Sequence, residues 1–227
     1  MKRILVPSTS PKDWQPLLAD PAKHWRTGYS AKTLAHAWEA ASGFPPEVTA
    51  AFAKSPFPEL RALELLLAVP EYQTDLPGGR QPSCSDIFAL GRAKNGLVAI
   101  AVEGKVNEEF GPLLSEWRKP LTRGKQERWA FIERLLHLGR LSADRLRYQL
   151  FHRMAAAVLE ARRFGAGDAV LLVHSFSPTG AWYGDFAAFA EFLGGVPRKG
   201  RVVPLTPLED VRLHAAWVQG SRRFLSS

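Results

Sequence analysis

The chain has a single cysteine, Cys84, in 227 residues. That excludes an intramolecular disulfide and any cysteine-rich zinc site. Long hydrophobic runs are also missing. The most extended, Leu65–Val69 and Leu97–Val102, are far short of the roughly 20 residues needed to cross a bilayer. Met1-Lys2-Arg3-Ile4-Leu5-Val6-Pro7 starts basic but lacks the apolar stretch of a signal peptide. Repeats and low-complexity tracts are absent. Together these absences lead to the expectation of a cytoplasmic protein with no membrane partner.

What is present is enough for a packed core: 46% hydrophobic and 11% aromatic residues, with an ordinary 23% charged. The net charge is +8, with a sequence pI near 9.9. Such a balance favours a polyanionic partner, although basic composition alone does not identify one. The basic residues concentrate between Arg118 and Arg153, with Lys119, Arg123, Lys125 and Arg128 interleaved with Trp117 and Trp129. This pattern suits a phosphate backbone with aromatic stacking, and it also suits a solvated helix face. Arg198, Lys199, Arg201, Arg222 and Arg223 form a second basic group.

Residues 1–55 read as an N-terminal helical cap, with helices expected from Ser10 or Asp13 to Leu18, over Ala31–Ala41 behind Ser30, and over Pro46–Lys54. Glu59–Val69 reads as a further helix ended by Pro70. Ser85–Arg92 alternates like a strand, and Lys94-Asn95-Gly96 is a turn of hairpin length. Leu97–Val102 then reads as a central strand covered on both faces. Helices follow from Gly124 to about Leu138 and from Ser142 to Arg163. Next come a strand at Ala169–His174, a helix at Asp185–Leu193, a strand at Arg201–Pro204 and a last helix at Pro207–Gln219. The expected fold class is α/β, a mixed sheet flanked by helices, in a domain spanning 56–227.

The chemistry concentrates in Ser85-Asp86 and, after the hairpin, Val102-Glu103-Gly104-Lys105. Period two sends Glu103 and Lys105 to one side at the end of a buried run, where two charges are costly unless paired or used. The neighbouring strand lies about 5 Å away, which puts Asp86 beside Glu103. Converging carboxylates repel, and a divalent cation that prefers hard oxygen ligands, such as Mg²⁺, relieves that repulsion. Glu64 sits in Ala62-Leu63-Glu64-Leu65-Leu66-Leu67, an apolar stretch that would shield it, and an ion pair with Arg61 or Arg80 would also account for it. Gln149 and Arg153 stand four apart, on one helical face, where solvent exposure is the plain alternative to a role at the site.

An aspartate on one strand followed by Glu-x-Lys on the next resembles the PD-(D/E)XK nuclease superfamily, over roughly Glu59 to Ser175. Ser85 stands where the superfamily's naming proline would be. The phrases Val-Glu-Gly-Lys-Val-Asn-Glu-Glu-Phe-Gly and Val-His-Ser-Phe are similar to uncharacterised bacterial families placed in it. The resemblance implies a restriction-endonuclease-like core of a helix, three strands, a helix and a further strand. It implies Mg²⁺- or Mn²⁺-dependent hydrolysis of phosphodiester bonds in DNA or RNA. Asp86, Glu103 and Lys105 would be catalytic, and Asp86 and Glu103 would hold the metal with Glu64 from the first core helix. Gln149 would face the site, Arg118, Lys119, Arg123, Lys125, Arg128 and Arg153 would contact nucleic acid, and a homodimer would suit cleavage of both strands. The competing expectation is a catalytically silent nuclease-like module that binds nucleic acid or a protein.

Overall fold

The structure is a computed structural model that describes residue 8 and residues 10–139 and 142–227. Its frame is a six-stranded mixed sheet: β1 (Glu64–Thr74), β2 (Ser83–Ala93), β3 (Gly96–Lys105), β4 (Asp168–Ser175), β5 (Val202–Pro204) and β6 (Arg212–Gln219), in the order β1-β2-β3-β4-β6-β5. The first three strands form an antiparallel meander, with Ala93 opposite Gly96 across the two-residue turn Lys94-Asn95. Gly96 lies at φ +155, in the region that only glycine enters cheaply. β4 runs parallel to both β3 and β6, and β5 pairs antiparallel with β6.

Seven α-helices occur among the described residues: α1 (Pro21–His24), α2 (Ser30–Glu39), α3 (Pro46–Ala53), α4 (Leu114–Trp117), α5 (Arg123–Leu135), α6 (Tyr148–Phe164) and α7 (Tyr183–Phe192). Parallel β3 and β4 require a crossover, and α6 lies within it, closed by Gly165 in the left-handed conformation. The sheet divides the core by side-chain parity. Ala99 and Ala101 of β3 pack with Ile132, Phe151, Met154 and Val158 of α5 and α6. Val98, Ile100 and Val102 pack on the opposite face with Leu34, Trp38, Val48 and Phe52 of α2 and α3. The period of two that marks a strand thus becomes two separate cores.

Two expected helices are strands. Leu63–Leu67 is apolar nearly all round, a pattern that a short buried strand and a buried helix share. Pairing with β2 decides for the strand, and Pro70 does not end it because β1 is an edge strand, where a missing N–H is tolerated. At the C-terminus, β6 replaces the expected helix over Pro207–Gln219: Leu213, Ala215 and Trp217 face one core, Ala216 and Val218 the other. The helix expected from Ser142 begins only at Tyr148, after a turn in which Arg147 bridges Leu113. In the N-terminal region, residues 1–7 and 9 lie outside the described part, and Pro11–Leu17 is a 3-10 helix.

The N-terminal helices share the core of one sheet face. Trp38, 1% exposed, also donates from Nε1 to Nδ1 of His174 on β4 at 3.3 Å. Trp38→Ala should therefore lower global stability by about 3–5 kcal/mol, as for other large buried aromatics. Chemical denaturation should remain one transition for helices and sheet together; a separate early transition of residues 1–55 would contradict the shared core.

Candidate active site

The β2–β3 register sets Ile87 opposite Val102, which brings Asp86 alongside Glu103 and Gly104. Asp86 Oδ2 accepts the Gly104 N–H at 2.7 Å. Glu103 is 2% exposed, and both its oxygens are engaged. Oε1 accepts from Lys105 Nζ at 2.7 Å and from Gln149 Nε2 at 2.8 Å, and Oε2 accepts from Arg153 Nε at 2.7 Å. Lys105 is 4% exposed, packs over the Phe110 ring and reaches Gln149 Oε1 at 3.4 Å. Arg153 extends onward to Ser83 Oγ at 3.1 Å. The four-residue spacing on α6 is what presents Gln149 and Arg153 to the same carboxylate.

A third acid completes the cluster, and it was not anticipated. Glu71 stands between Pro70 and Tyr72, whose partners are Ile87 and Ser85, so its place on β1 is opposite Asp86. Its φ is +49, an uncommon conformation for a non-glycine residue. Cys84 Sγ donates to its Oε2 at 3.4 Å. The only sequence signal for Glu71 was its place in Pro70-Glu71-Tyr72-Gln73-Thr74, where the aromatic and β-branched residues suit a strand.

The charges do not balance locally. Burial pushes Glu103 upward, but the Lys105 and Arg153 cations outweigh it and hold this carboxyl below its ordinary range. Glu71 is raised to about 7, by burial first and then by the Glu103 charge, despite the Cys84 hydrogen bond. Burial, with Glu103 and Glu71 behind it, raises Asp86 well above a normal carboxylic acid. Burial and Glu71 push the Cys84 thiol up to about 12, so it is no thiolate nucleophile. His152 is pushed well below its usual value, by burial and then by Arg153 and Arg128. Three acids thus meet two cations, and the surplus negative charge must be met by protons or by a bound cation.

The residues present fit a divalent ion on that ground. Asp86 and Glu71 each keep one carboxylate oxygen free of hydrogen bonds among the described residues. Among those residues, no group of three or more His, Cys, Asp or Glu side chains is arranged to hold a metal. Mg²⁺ needs no such cage, since one or two carboxylates with retained waters suffice. A cleft of about 630 Å³, lined in part by Tyr29, Phe110, Trp117, Tyr148, Gln149 and His152, meets the cluster at Gln149.

Asp86, Glu103, Lys105 and Gln149 are therefore brought together, and Glu64 is not. It opens β1 opposite Arg92 and bonds the Arg92 guanidinium at 2.6 Å. Arg92 lies six residues along β2 from Asp86, roughly 20 Å away at strand rise. Arg153 is no surface phosphate contact, because it is buried against Glu103. Arg128 is likewise buried, donating to the Leu76 and Pro77 carbonyls. Arg118 pairs with Asp144 and Arg123 with Glu127, while Lys119 is exposed and Lys125 reaches the Lys119 and Pro120 carbonyls. Glu108 accepts from the N–H groups of Ser30, Val106 and Asn107, and so ties α2 to the exit of β3.

Fold and cluster together define a mixed α/β sheet protein with a buried acid–base centre at the carboxyl end of a central strand. The chain belongs to the family described as Domain of unknown function (DUF6946), whose model matches residues 7–222. No curated protein and no solved structure matches it.

Two measurements test the electrostatics. Arg153→Met strips one cation from a buried carboxylate and should cost about 3–5 kcal/mol of stability; a change under ~1 kcal/mol would show that Glu103 is not held as described. Glu71 binds its proton more tightly folded than unfolded, so without divalent ions stability should fall as pH rises from 4.5 toward about 7. Glu71→Gln should flatten that slope in pH-dependent melts. An unchanged slope would place the excess charge elsewhere.

Proposed function

We propose that this chain is a divalent-metal-dependent nuclease of the restriction-endonuclease-like type, hydrolysing phosphodiester bonds of DNA or RNA. The observation that carries the reading is the meeting of Asp86 with Glu103-x-Lys105 across one antiparallel pair, beside a cleft. Part of the element order supports it further: three strands, then α4, α5 and α6, then β4, match the three strands, helix and strand of the core that the motif implies, although β1 stands where its first helix was expected over Glu59–Val69.

Asp86 and Glu71, with Glu103 behind them, would hold Mg²⁺ or Mn²⁺, which when bound polarises the phosphate and acidifies a coordinated water. Lys105 supplies a fixed positive charge where negative charge develops on the phosphoryl oxygens, and it is already oriented by Glu103 and Gln149. Gln149 bridges cluster and cleft and orients the attacking water. Arg153 holds Glu103 in place. Substrate contacts from the basic region fall to Lys119 and Lys125 and to the outer faces of Arg118 and Arg123. One observation favours a silent binding module instead: three protein donors already satisfy Glu103, as in a purely structural ion cluster.

Lys105→Ala separates the two readings. It should reduce metal-dependent cleavage by several hundred-fold, the roughly 3–4 kcal/mol of a lost charge stabiliser in a confined site. Affinity for the same nucleic acid should stay within a few-fold, with the salt slope lowered by about one unit at most. Supercoiled and linear DNA, single strands and structured RNA should each be assayed with Mg²⁺ and Mn²⁺. Binding without cutting, unaltered in Lys105→Ala, would establish the silent module.

A further inference from the structure

A second cleft, of about 600 Å³, lies at the β5 edge of the sheet and is lined by Lys54, Arg61, Arg198 and Arg201 together with Pro56, Val196, Val202 and Pro204. β5 is three strand spacings from β3, roughly 14 Å, so this cleft is separate from the Glu103 cluster. Among the described residues, no carboxylate lines it. Several cations elsewhere are paired with acids: Arg92 with Glu64, Arg118 with Asp144, Arg123 with Glu127, Arg162 with Asp210 and Arg212 with Glu59. The four cations of this cleft are all exposed, and none has a carboxylate partner among the described residues. Four like charges gathered without a counter-charge repel one another, and a bound anion relieves that repulsion.

Its walls are prepared for more than a bare ion. Arg61 Nε donates to the Ser55 carbonyl at 2.9 Å, which anchors the guanidinium and leaves both terminal amino groups without partners among the described residues. Ser55 Oγ in turn accepts the Phe57 N–H at 3.1 Å and fixes the turn that carries Pro56. Val196 is 71% exposed, the most exposed large apolar residue among those described, and it stands in the same wall. A concave site with one anchored guanidinium among four cations on an apolar lining, within the usual 300–1,000 Å³ range, matches a small organic molecule that carries phosphate groups.

We propose that this cleft binds a small phosphorylated organic anion, of the size and charge of a nucleoside diphosphate, through Arg61, Arg198, Arg201 and Lys54. The apolar wall receives the organic part, and the guanidinium groups take the phosphates. The site stands whether or not the chain cuts nucleic acid.

Calorimetric titration of the full chain with ADP, with pyrophosphate and with a single-stranded oligonucleotide tests this. ADP should bind one-to-one and more tightly than pyrophosphate, because only ADP uses the apolar wall. Each charge-assisted hydrogen bond is worth roughly tenfold in affinity, so the triple variant Arg61→Gln/Arg198→Gln/Arg201→Gln should weaken ADP at least about a hundredfold. Arg134→Gln, which removes an exposed positive charge on α5, should leave ADP binding within a few-fold. Single Arg201→Gln, about tenfold weaker by the same reasoning, supplies the test if the triple variant does not fold. Failure of ADP and pyrophosphate to bind, equal loss in the α5 variant, or binding of the oligonucleotide alone would overturn the proposal.

Discussion

The rest of the site depends on one buried charge. Glu103 lies at the carboxyl end of β3, almost wholly out of water, and an ionised carboxylate there is tolerable only with its partners in place. Lys105 comes from its own strand, Gln149 and Arg153 from α6. The apolar face of α6 would hold the helix on the sheet in a range of azimuths; its two donors aimed at one carboxylate select one of them. Such a cluster is a poor route to net stability, since desolvation offsets most of the Coulomb gain. Its value lies in fixing geometry, and it fixes the geometry of the residues that carry the proposed chemistry.

Asp86 and Glu71 are the other half of that arrangement. Lys105 and Arg153 are taken up largely by Glu103, which leaves the two remaining acids short of positive charge and raised above their ordinary range. Perturbed carboxylates gathered beside a cleft are a common mark of functional sites, though structural networks also produce them. The location agrees: β3 and β4 are parallel neighbours, and ligands of α/β sheets collect outside the carboxyl ends of such strands.

Positive charge is distributed very differently from what composition suggests. The segment from Arg118 to Arg153 is densely basic, yet Arg128 and Arg153 are interior residues, and Arg118 and Arg123 are paired with acids. Four further cations, without a carboxylate partner among the described residues, gather around the β5 edge, contributed by segments more than a hundred residues apart. A net charge of +8 therefore describes the whole chain without locating where its unpaired positive charge lies.

The sequence by itself determined the hairpin and the residues that meet on it. A polar–apolar alternation, a two-residue turn and a continuous apolar run set the register that joins Asp86 to Glu103, and period two set Lys105 beside it. These are local relations, carried by a few consecutive residues. Gln149 was legible for the same reason, through helical spacing. Only the tertiary structure decided the rest. Leu63–Leu67 and Leu213–Val218 could serve a buried helix or a buried strand, and strand pairing across the sheet made both of them β. That choice carried Glu64 away to Arg92 and brought Glu71 to Asp86, since a strand advances more than twice as far per residue as a helix. Burial of Arg153 and Arg128 was equally invisible, because a guanidinium goes inside only when distant carboxylates or carbonyls are waiting for it, and those partners meet it only once the chain has folded.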